Sequence, residues 1–298
     1  MFVNARAGYL RGSNPGAVER ALREAGVPVE VRGVAAADLG RALTKAVRDG
    51  VDRVGVAGGD GTQLIAAQAL AGTGTALVPV PTGTLNHFAR RVGIPDLATA
   101  AAALAGPDRS MPLGVVDDEL FLNTATLGLY ADVVRRRERR RRWMTKWPAA
   151  ALAFAEALAR LRHLDLALEV DGEHLERRTP LLWVGVGWGS FPFVHEAPER
   201  RRQPDLEIVV LRPGSRLGAL ALMARLSLLL HGRERPVEDP ALEVLHARRL
   251  VVRAHHPIGV TLDGEVRRLR APVLLAVQDA ALRVCAPPSA GRAAKLPP

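Results

Sequence analysis

The chain has 298 residues, 48% hydrophobic and 24% charged, a balance that supplies a core for one large domain or two modest ones and excludes a fibrous or wholly disordered protein. Its 41 lysines and arginines against 31 acids leave a formal charge of +10, which favours an anionic partner (nucleotide, nucleic acid or acidic lipid headgroup) without choosing among them. The single cysteine, Cys285, excludes an internal disulfide and fits a reducing compartment.

Met1 to Asn4 is a short apolar start that lacks the basic and apolar regions of a signal peptide, and its brevity suggests either a natural start upstream or a trimmed first strand. Asn14 to Ala25 places Val18, Ala21, Leu22 and Ala25 on one helical face, and Val27 to Val34 is a candidate strand. Leu39, Ala42, Leu43, Ala46 and Val47 recur at helical spacing until Gly50, and Val51 to Ala57 is the next strand. A helix from Thr62 to Ala71, a strand from Thr75 to Val80 and a helix from about Leu85 to Val92 follow. Strands alternating with helices imply right-handed βαβ units and a parallel sheet, whose ligands bind at the carboxyl ends of the strands.

After Gly106-Pro107 the turn signals crowd together. Asp117-Asp118, Asp171-Gly172 and Asp263-Gly264 each separate apolar or β-branched runs, as hairpin turns do. Strands are expected at Leu166–Val170, Leu181–Val186, Leu206–Leu211, Leu250–Ala254, Gly259–Leu262 and Val273–Val277. They define a mainly antiparallel domain over 113–279, with helical insertions at Ala149–Leu161 and Arg216–Leu230. The longest apolar run, Leu217 to Leu230, is broken by Arg225 and falls short of the roughly 20 residues that span a bilayer. A last strand, Leu282–Ala286, precedes a Pro/Ala-rich tail at 287–298 that is expected to be disordered. The expectation is a cytoplasmic protein able to work at the inner face of the membrane.

Two glycine-rich turns carry the chemistry. Gly58-Gly59-Asp60-Gly61-Thr62 follows a strand and opens a helix, so its amides can converge on a phosphate while Asp60 holds a metal or takes a proton. An ordinary strand-to-helix turn is the alternative for this stretch alone. Pro81-Thr82-Gly83-Thr84-Leu85-Asn86-His87-Phe88-Ala89-Arg90 joins strand to helix again one βα unit later, and two such turns on successive strands would face one site.

The pair GGDGT and P-x-GT-x-N-x-FAR resembles the diacylglycerol kinase catalytic family, which includes bacterial lipid kinases, sphingosine kinases and ceramide kinases. Asn4-Ala5-Arg6-Ala7-Gly8 is similar to the family's N-terminal nucleotide loop, with Ala5 in place of proline. Phe121 to Gly128 is similar to its FxNxxxxG segment, and Thr261-Leu262-Asp263-Gly264-Glu265 to its late DGE motif. The resemblance implies an α/β N-terminal domain (1–112) with a parallel sheet that binds ATP. It further implies a mainly antiparallel β-sandwich C-terminal domain, a lipid acceptor entering between the two, and a last strand, about 280–286, returning to the first. Carried over by position, Asn4, Arg6, Gly8, Gly58, Gly59, Gly61, Thr62, Gly83, Thr84 and Asn86 would contact nucleotide. Asp60 would join the Mg²⁺ network or act as base, and Asp263 and Glu265 would be catalytic, with Glu265 accepting the proton of the lipid hydroxyl. Asp171-Gly172-Glu173 shows that the chain also makes such turns for structural reasons.

Two departures stand out. His87 occupies a position where many members carry aspartate, and Arg202 to Glu207 keeps one aspartate, Asp205, and no glycine of a loop that holds a structural metal in relatives, so no such metal is carried over. The tract Arg135 to Trp147 places seven arginines in eight residues beside Trp143 and Trp147. Arg139, Arg140, Arg141, Arg142 and the two tryptophans suit an anionic membrane surface; a nucleic-acid contact or a plain solvated helix are the alternatives. No zinc spacing is found among the eight histidines. The expected function is an ATP- and Mg²⁺-dependent lipid kinase acting on diacylglycerol, a sphingoid base or a related lipid, with no nucleic-acid partner. The rivals are a small-molecule kinase of the NAD kinase type, which also uses a GGDGT turn, and an inactive nucleotide- and lipid-binding protein.

Overall fold

The computed structural model describes residues 1–4, 15–24, 26–27, 29–128, 131, 134, 163–187, 205–212, 218, 241–256 and 258–288. Arg6, Gly8, the arginines and tryptophans of 135–147, the expected helix at 149–161, all of the expected helix at 216–230 but Gly218, His195 and the tail beyond 288 lie outside these residues. The chain divides into two compact units, Met1–Leu113 with the chain from Asp279 on, and Gly114–Gln278.

The first unit is α/β. Its elements are β1 (Phe2–Asn4), α1 (Pro15–Glu24), β2 (Arg32–Val34), α2 (Ala36–Arg48), β3 (Arg53–Gly58), α3 (Asp60–Leu70), β4 (Ala76–Pro81), α4 (His87–Arg91) and α5 (Leu97–Ala105). The strands run parallel in the order β2-β1-β3-β4. Val54 to Gly58 of β3 are buried without alternation, the pattern of a parallel strand covered on both faces. Helix α2 buries Leu39, Leu43 and Ala46, positions at the 3.6-residue spacing of one helical face. Helix α5 was not legible from periodicity, because Leu-Ala-Thr-Ala-Ala-Ala-Ala-Leu-Ala has no polar face to contrast with an apolar one. Its start is marked instead by a capping box in which Asp96 Oδ1 accepts the Thr99 N–H at 2.8 Å and Thr99 Oγ1 accepts the Asp96 N–H at 3.2 Å.

Two expected elements come out shorter. The strand expected from Val27 begins only at Arg32, because Gly26 adopts φ +74° and the Val27 N–H returns to the Leu22 carbonyl at 2.9 Å, so this stretch closes α1. The helix expected from Leu85 begins at His87, because Asn86 is left-handed, φ 54°.

The second unit is an antiparallel sandwich. Its strands are the end of β5 (Asp108–Val116), β6 (Glu119–Phe121), β7 (Thr124–Gly128), β8 (Leu164–Val170), β9 (Glu173–Thr179), β10 (Leu181–Val186), β11 (Leu206–Leu211), β12 (Leu242–Ala247), β13 (Arg249–Arg253), β14 (Ile258–Leu262), β15 (Glu265–Leu269) and the first half of β16 (Val273–Cys285). One sheet has the order β12-β11-β10-β7-β14-β15, and in the other β16, β13, β8 and β9 are successive neighbours. Alternate residues meet in a single core: Leu127, Leu182, Val184, Ile208 and Val260 from the first sheet, Leu166, Leu168, Leu250, Val252 and Leu275 from the second. Period-two alternation places every second side chain there.

Val273–Val277 and Leu282–Ala286, expected as separate strands, form one strand. Val273 to Ala276 pair with β13 in the second unit, and Val284 pairs in parallel with Leu77 of β4 in the first. The exposed Gln278-Asp279-Ala280, with Ala280 at φ 47°, mark a bend within the strand and not its end. Among the described residues no helix is long and apolar enough to cross a membrane.

Candidate active site

The two glycine-rich turns sit at the carboxyl ends of adjacent strands, β3 and β4, and their backbones touch. A Cβ on Gly83 would collide with Gly59 Cα, and one on Gly59 would lie 3.3 Å from Gly83 Cα; only glycine permits this approach. The Thr82 N–H reaches the Gly58 carbonyl at 3.3 Å. A side chain on Gly58 would collide with Thr62, whose hydroxyl accepts from Asn4 Nδ2 at 3.0 Å. Asn4 thus ties the end of β1 to the first turn of α3. Gly61 faces open space. Among the described residues the N–H groups of Asp60 and Gly61 donate to no acceptor, as the first turn of a helix leaves them.

Asp60 is half-buried, and its Oδ1 accepts the Phe88 N–H at 3.0 Å. The carboxylate therefore caps α4, the helix of the other turn. Asn86, at the conventional capping position, makes no capping bond. Its Oδ1 accepts the Gly83 N–H and its Nδ2 donates to the Gly83 carbonyl, both at 2.9 Å. Thr84 is exposed beside Leu85, and His87 is exposed at the first position of α4. The capping role of Asp60 was invisible in the sequence, since its partner lies 28 residues away.

In the second unit Asp263 turns the β14–β15 hairpin with φ 47°. Its carboxylate accepts three backbone N–H groups, from Leu122 at 2.6 Å, Asn123 at 2.8 Å and Thr124 at 3.0 Å. The other two hairpin aspartates use the same device. Asp117 (φ 51°) accepts from the Leu274 N–H, and Asp171 (φ 48°) from those of Arg248 and Arg249. Glu265 is exposed at the start of β15, where Arg267 Nη2 donates to it at 3.0 Å while Arg267 Nε donates to Glu119 at 3.0 Å. Those two contacts hold the Arg267 guanidinium above its ordinary value. Neither Glu119 nor Arg267 was singled out from sequence. Asp205 lies 3.5 Å from His246 Nδ1. Cys285 is buried, and desolvation pushes its thiol up.

A parallel α/β unit carrying two interlocked glycine turns, followed by an antiparallel sandwich, defines a diacylglycerol-kinase-like fold. A solved diacylglycerol kinase from Bacillus anthracis str. Sterne matches it with a TM-score of 0.69 over 97% of this chain and 96% of that one, at 17% identity. The diacylglycerol kinase catalytic domain matches residues 1–116, and the YegS C-terminal NAD kinase beta sandwich-like domain matches residues 124–286. The chain belongs to this family. Among curated relatives, a "Probable lipid kinase YegS-like" protein of Pseudomonas putida is 34% identical over 56% of this chain, and a diacylglycerol kinase of Mycobacterium tuberculosis is 36% identical over 53%. These matches span 58% and 53% of the relatives' own length. A diacylglycerol kinase of Bacillus subtilis is 26% identical over 77% of this chain and 76% of its own.

Proposed function

We propose that the protein is an ATP- and Mg²⁺-dependent lipid kinase that transfers the γ-phosphoryl group to a hydroxyl of diacylglycerol, a sphingoid base or a related lipid. The observation that carries this reading is the interlocked pair of turns, in which the N–H groups of Asp60, Gly61 and Thr84 have no acceptor among the described residues and the Asp60 carboxylate is only partly engaged. Phosphoryl transfer asks little more of a protein than such donors and a positioned acid. Family resemblance supports nucleotide contacts by Asn4, Arg6, Gly8, Gly58, Gly59, Gly61, Thr62, Gly83, Thr84 and Asn86.

Magnesium fits the donor set present. Asp60 keeps one carboxylate oxygen without a partner among the described residues, and those residues form no cluster of three or more His, Cys, Asp or Glu side chains. That suits an ion held by nucleotide phosphates and water with a single protein carboxylate, as magnesium commonly is. When bound, it would neutralise phosphate charge. Glu265 is the proposed proton acceptor; Asp263, expected as catalytic, is proposed instead to hold the Leu122–Thr124 segment, whose three N–H groups occupy both of its carboxylate oxygens. The arginine tract at 135–147 is proposed to meet an anionic membrane surface, and co-sedimentation with anionic liposomes that survives neutralising Arg139 to Arg142 would remove that part.

The deciding experiment incubates the protein with γ-labelled ATP, Mg²⁺ and a total lipid extract and identifies the labelled product. A phosphorylated lipid supports the proposal. Labelled NADP from added NAD with unlabelled lipid would replace it with the small-molecule reading, and nucleotide binding without turnover would leave a binding protein.

A further inference from the structure

The Asn86 side chain has an unusual assignment. A capping residue normally adopts an extended backbone and its side chain accepts from the following helix. Asn86 is left-handed, φ 54° and ψ 43°, and makes no such bond, because Asp60 already serves the Phe88 N–H. Its amide turns back and grips both polar groups of Gly83. The two bonds fix which end of the amide is oxygen, since one partner is a donor and the other an acceptor.

This grip has a directional consequence. The Gly83–Thr84 peptide is trans, so its carbonyl and N–H point in opposite directions across a rigid plane. Pinning the Gly83 carbonyl to Asn86 Nδ2 therefore aims the Thr84 N–H away from the Asn86 side chain, on a residue that is exposed. Among the described residues that N–H has no acceptor, whereas the Thr82 N–H is held by Gly58 and the Gly83 N–H by Asn86. Of three successive amides in this turn, one is left to face a ligand. Neither neighbouring peptide of Gly83 can rotate without breaking a hydrogen bond, and a glycine otherwise rotates more freely than any other residue.

Resting on the reading of these turns as a phosphate site, we infer that Asn86 is a positioning residue: it makes Gly83 a fixed strut and presents the Thr84 N–H as the phosphate donor of the second turn. This role runs through the backbone of Gly83 and Thr84 and is separate from any contact of the Asn86 side chain with nucleotide. Its side chain substitutes order within the turn for order that a phosphate would otherwise have to impose on binding.

The test has two arms. In the unaltered protein, amide exchange followed residue by residue should show the Gly83 N–H protected with and without nucleotide, and the Thr84 N–H fast alone and slowed by ATP with Mg²⁺. In the second arm Asn86→Gly, which keeps the left-handed backbone available, should fold, lose protection at Gly83 and bind ATP about tenfold more weakly, as the loss of one good hydrogen bond predicts. The effect should fall on nucleotide KM more than on kcat, a split that general destabilisation would not produce. If backbone conformation alone mattered, Asn86→Gly would match the parent and only Asn86→Ala would suffer. Parent-like affinity in Asn86→Gly, or a Thr84 amide indifferent to nucleotide, overturns the inference while leaving the kinase reading intact. Should the unaltered protein bind no ATP at all, both fail. Should Asn86→Gly not fold, the first arm still decides.

Discussion

Two Asp-Gly turns carry candidate site residues, Asp60-Gly61 in the first unit and Asp263-Gly264 in the second, and they use the same dipeptide in opposite ways. At Asp263 the backbone is left-handed and both carboxylate oxygens are occupied, by N–H groups from residues 139 to 141 positions away in sequence. At Asp60 the residue opens α3, one oxygen receives a single N–H from Phe88, and the other oxygen has no partner among the described residues. The first acid is a clasp between a hairpin and a distant strand. The second is half clasp and half available ligand. A carboxylate's chemical freedom is thus set by how many backbone donors converge on it, which the dipeptide alone does not show.

The comparison breaks most visibly at Asp60. Asp60→Asn retains an oxygen for the Phe88 N–H and removes the charge, so turnover should fall at least about 100-fold while the melting temperature stays near that of the parent. A variant that loses stability in step with activity would show that Asp60, too, is a clasp. Asp263→Ala should do the reverse. It strands three N–H donors, and hydrogen bonds to charged groups contribute about 1.5–3 kcal/mol each, so about 3 kcal/mol or more of stability should disappear in urea unfolding. Activity per folded molecule should persist; its abolition with unchanged stability would place Asp263 in the chemistry. A smaller effect is expected where the turns meet. Gly83→Ala drives a Cβ into Gly59 Cα, backbone against backbone, which no rotamer relieves. A cost of about 1–3 kcal/mol should be accompanied by weaker ATP binding, measured by calorimetry.

Much of the fold was legible because its signals are local. Alternating strands and helices announced the parallel α/β unit, and Asp-Asp and Asp-Gly pairs marked the hairpins of the sandwich. What escaped lacked local contrast or depended on remote partners. Helix α5 is too uniformly apolar for a moment, and its capping box at Asp96 and Thr99 was the one usable cue. Strand β12, Leu-Glu-Val-Leu-His-Ala, carries Glu243 inward, where Arg177 Nε and Nη2 hold it at 2.8 and 2.7 Å and Arg212 adds a contact at 2.8 Å; an inward acid breaks the alternation that reveals a strand. At the site, the motifs named Asp60, Gly83 and Asn86, but their division of labour needed coordinates, since Asp60 caps the wrong helix and Asn86 grips its own turn.

The last and smallest test concerns an acid held by a side chain instead of backbone amides. Asp108, at the start of β5, accepts from Arg283 Nε at 2.7 Å and also from Arg283 Nη2, linking β5 to the far half of β16 within the first unit. The Arg283 guanidinium holds the Asp108 carboxyl below the ordinary aspartate value. A carboxyl depressed on folding adds stability that is fully present above its unfolded value and is lost as pH falls through its folded one. Melting curves of the parent and Asp108→Asn should therefore differ at neutral pH and converge as the solution is acidified below the usual aspartate range. Added salt should narrow the neutral-pH gap as well, since both partners are solvent-accessible. For Asp263→Asn the gap should resist salt, because backbone amides are not screened away as mobile charges are. A salt-insensitive Asp108 pair would mean that geometry, and not charge, ties the two strands together.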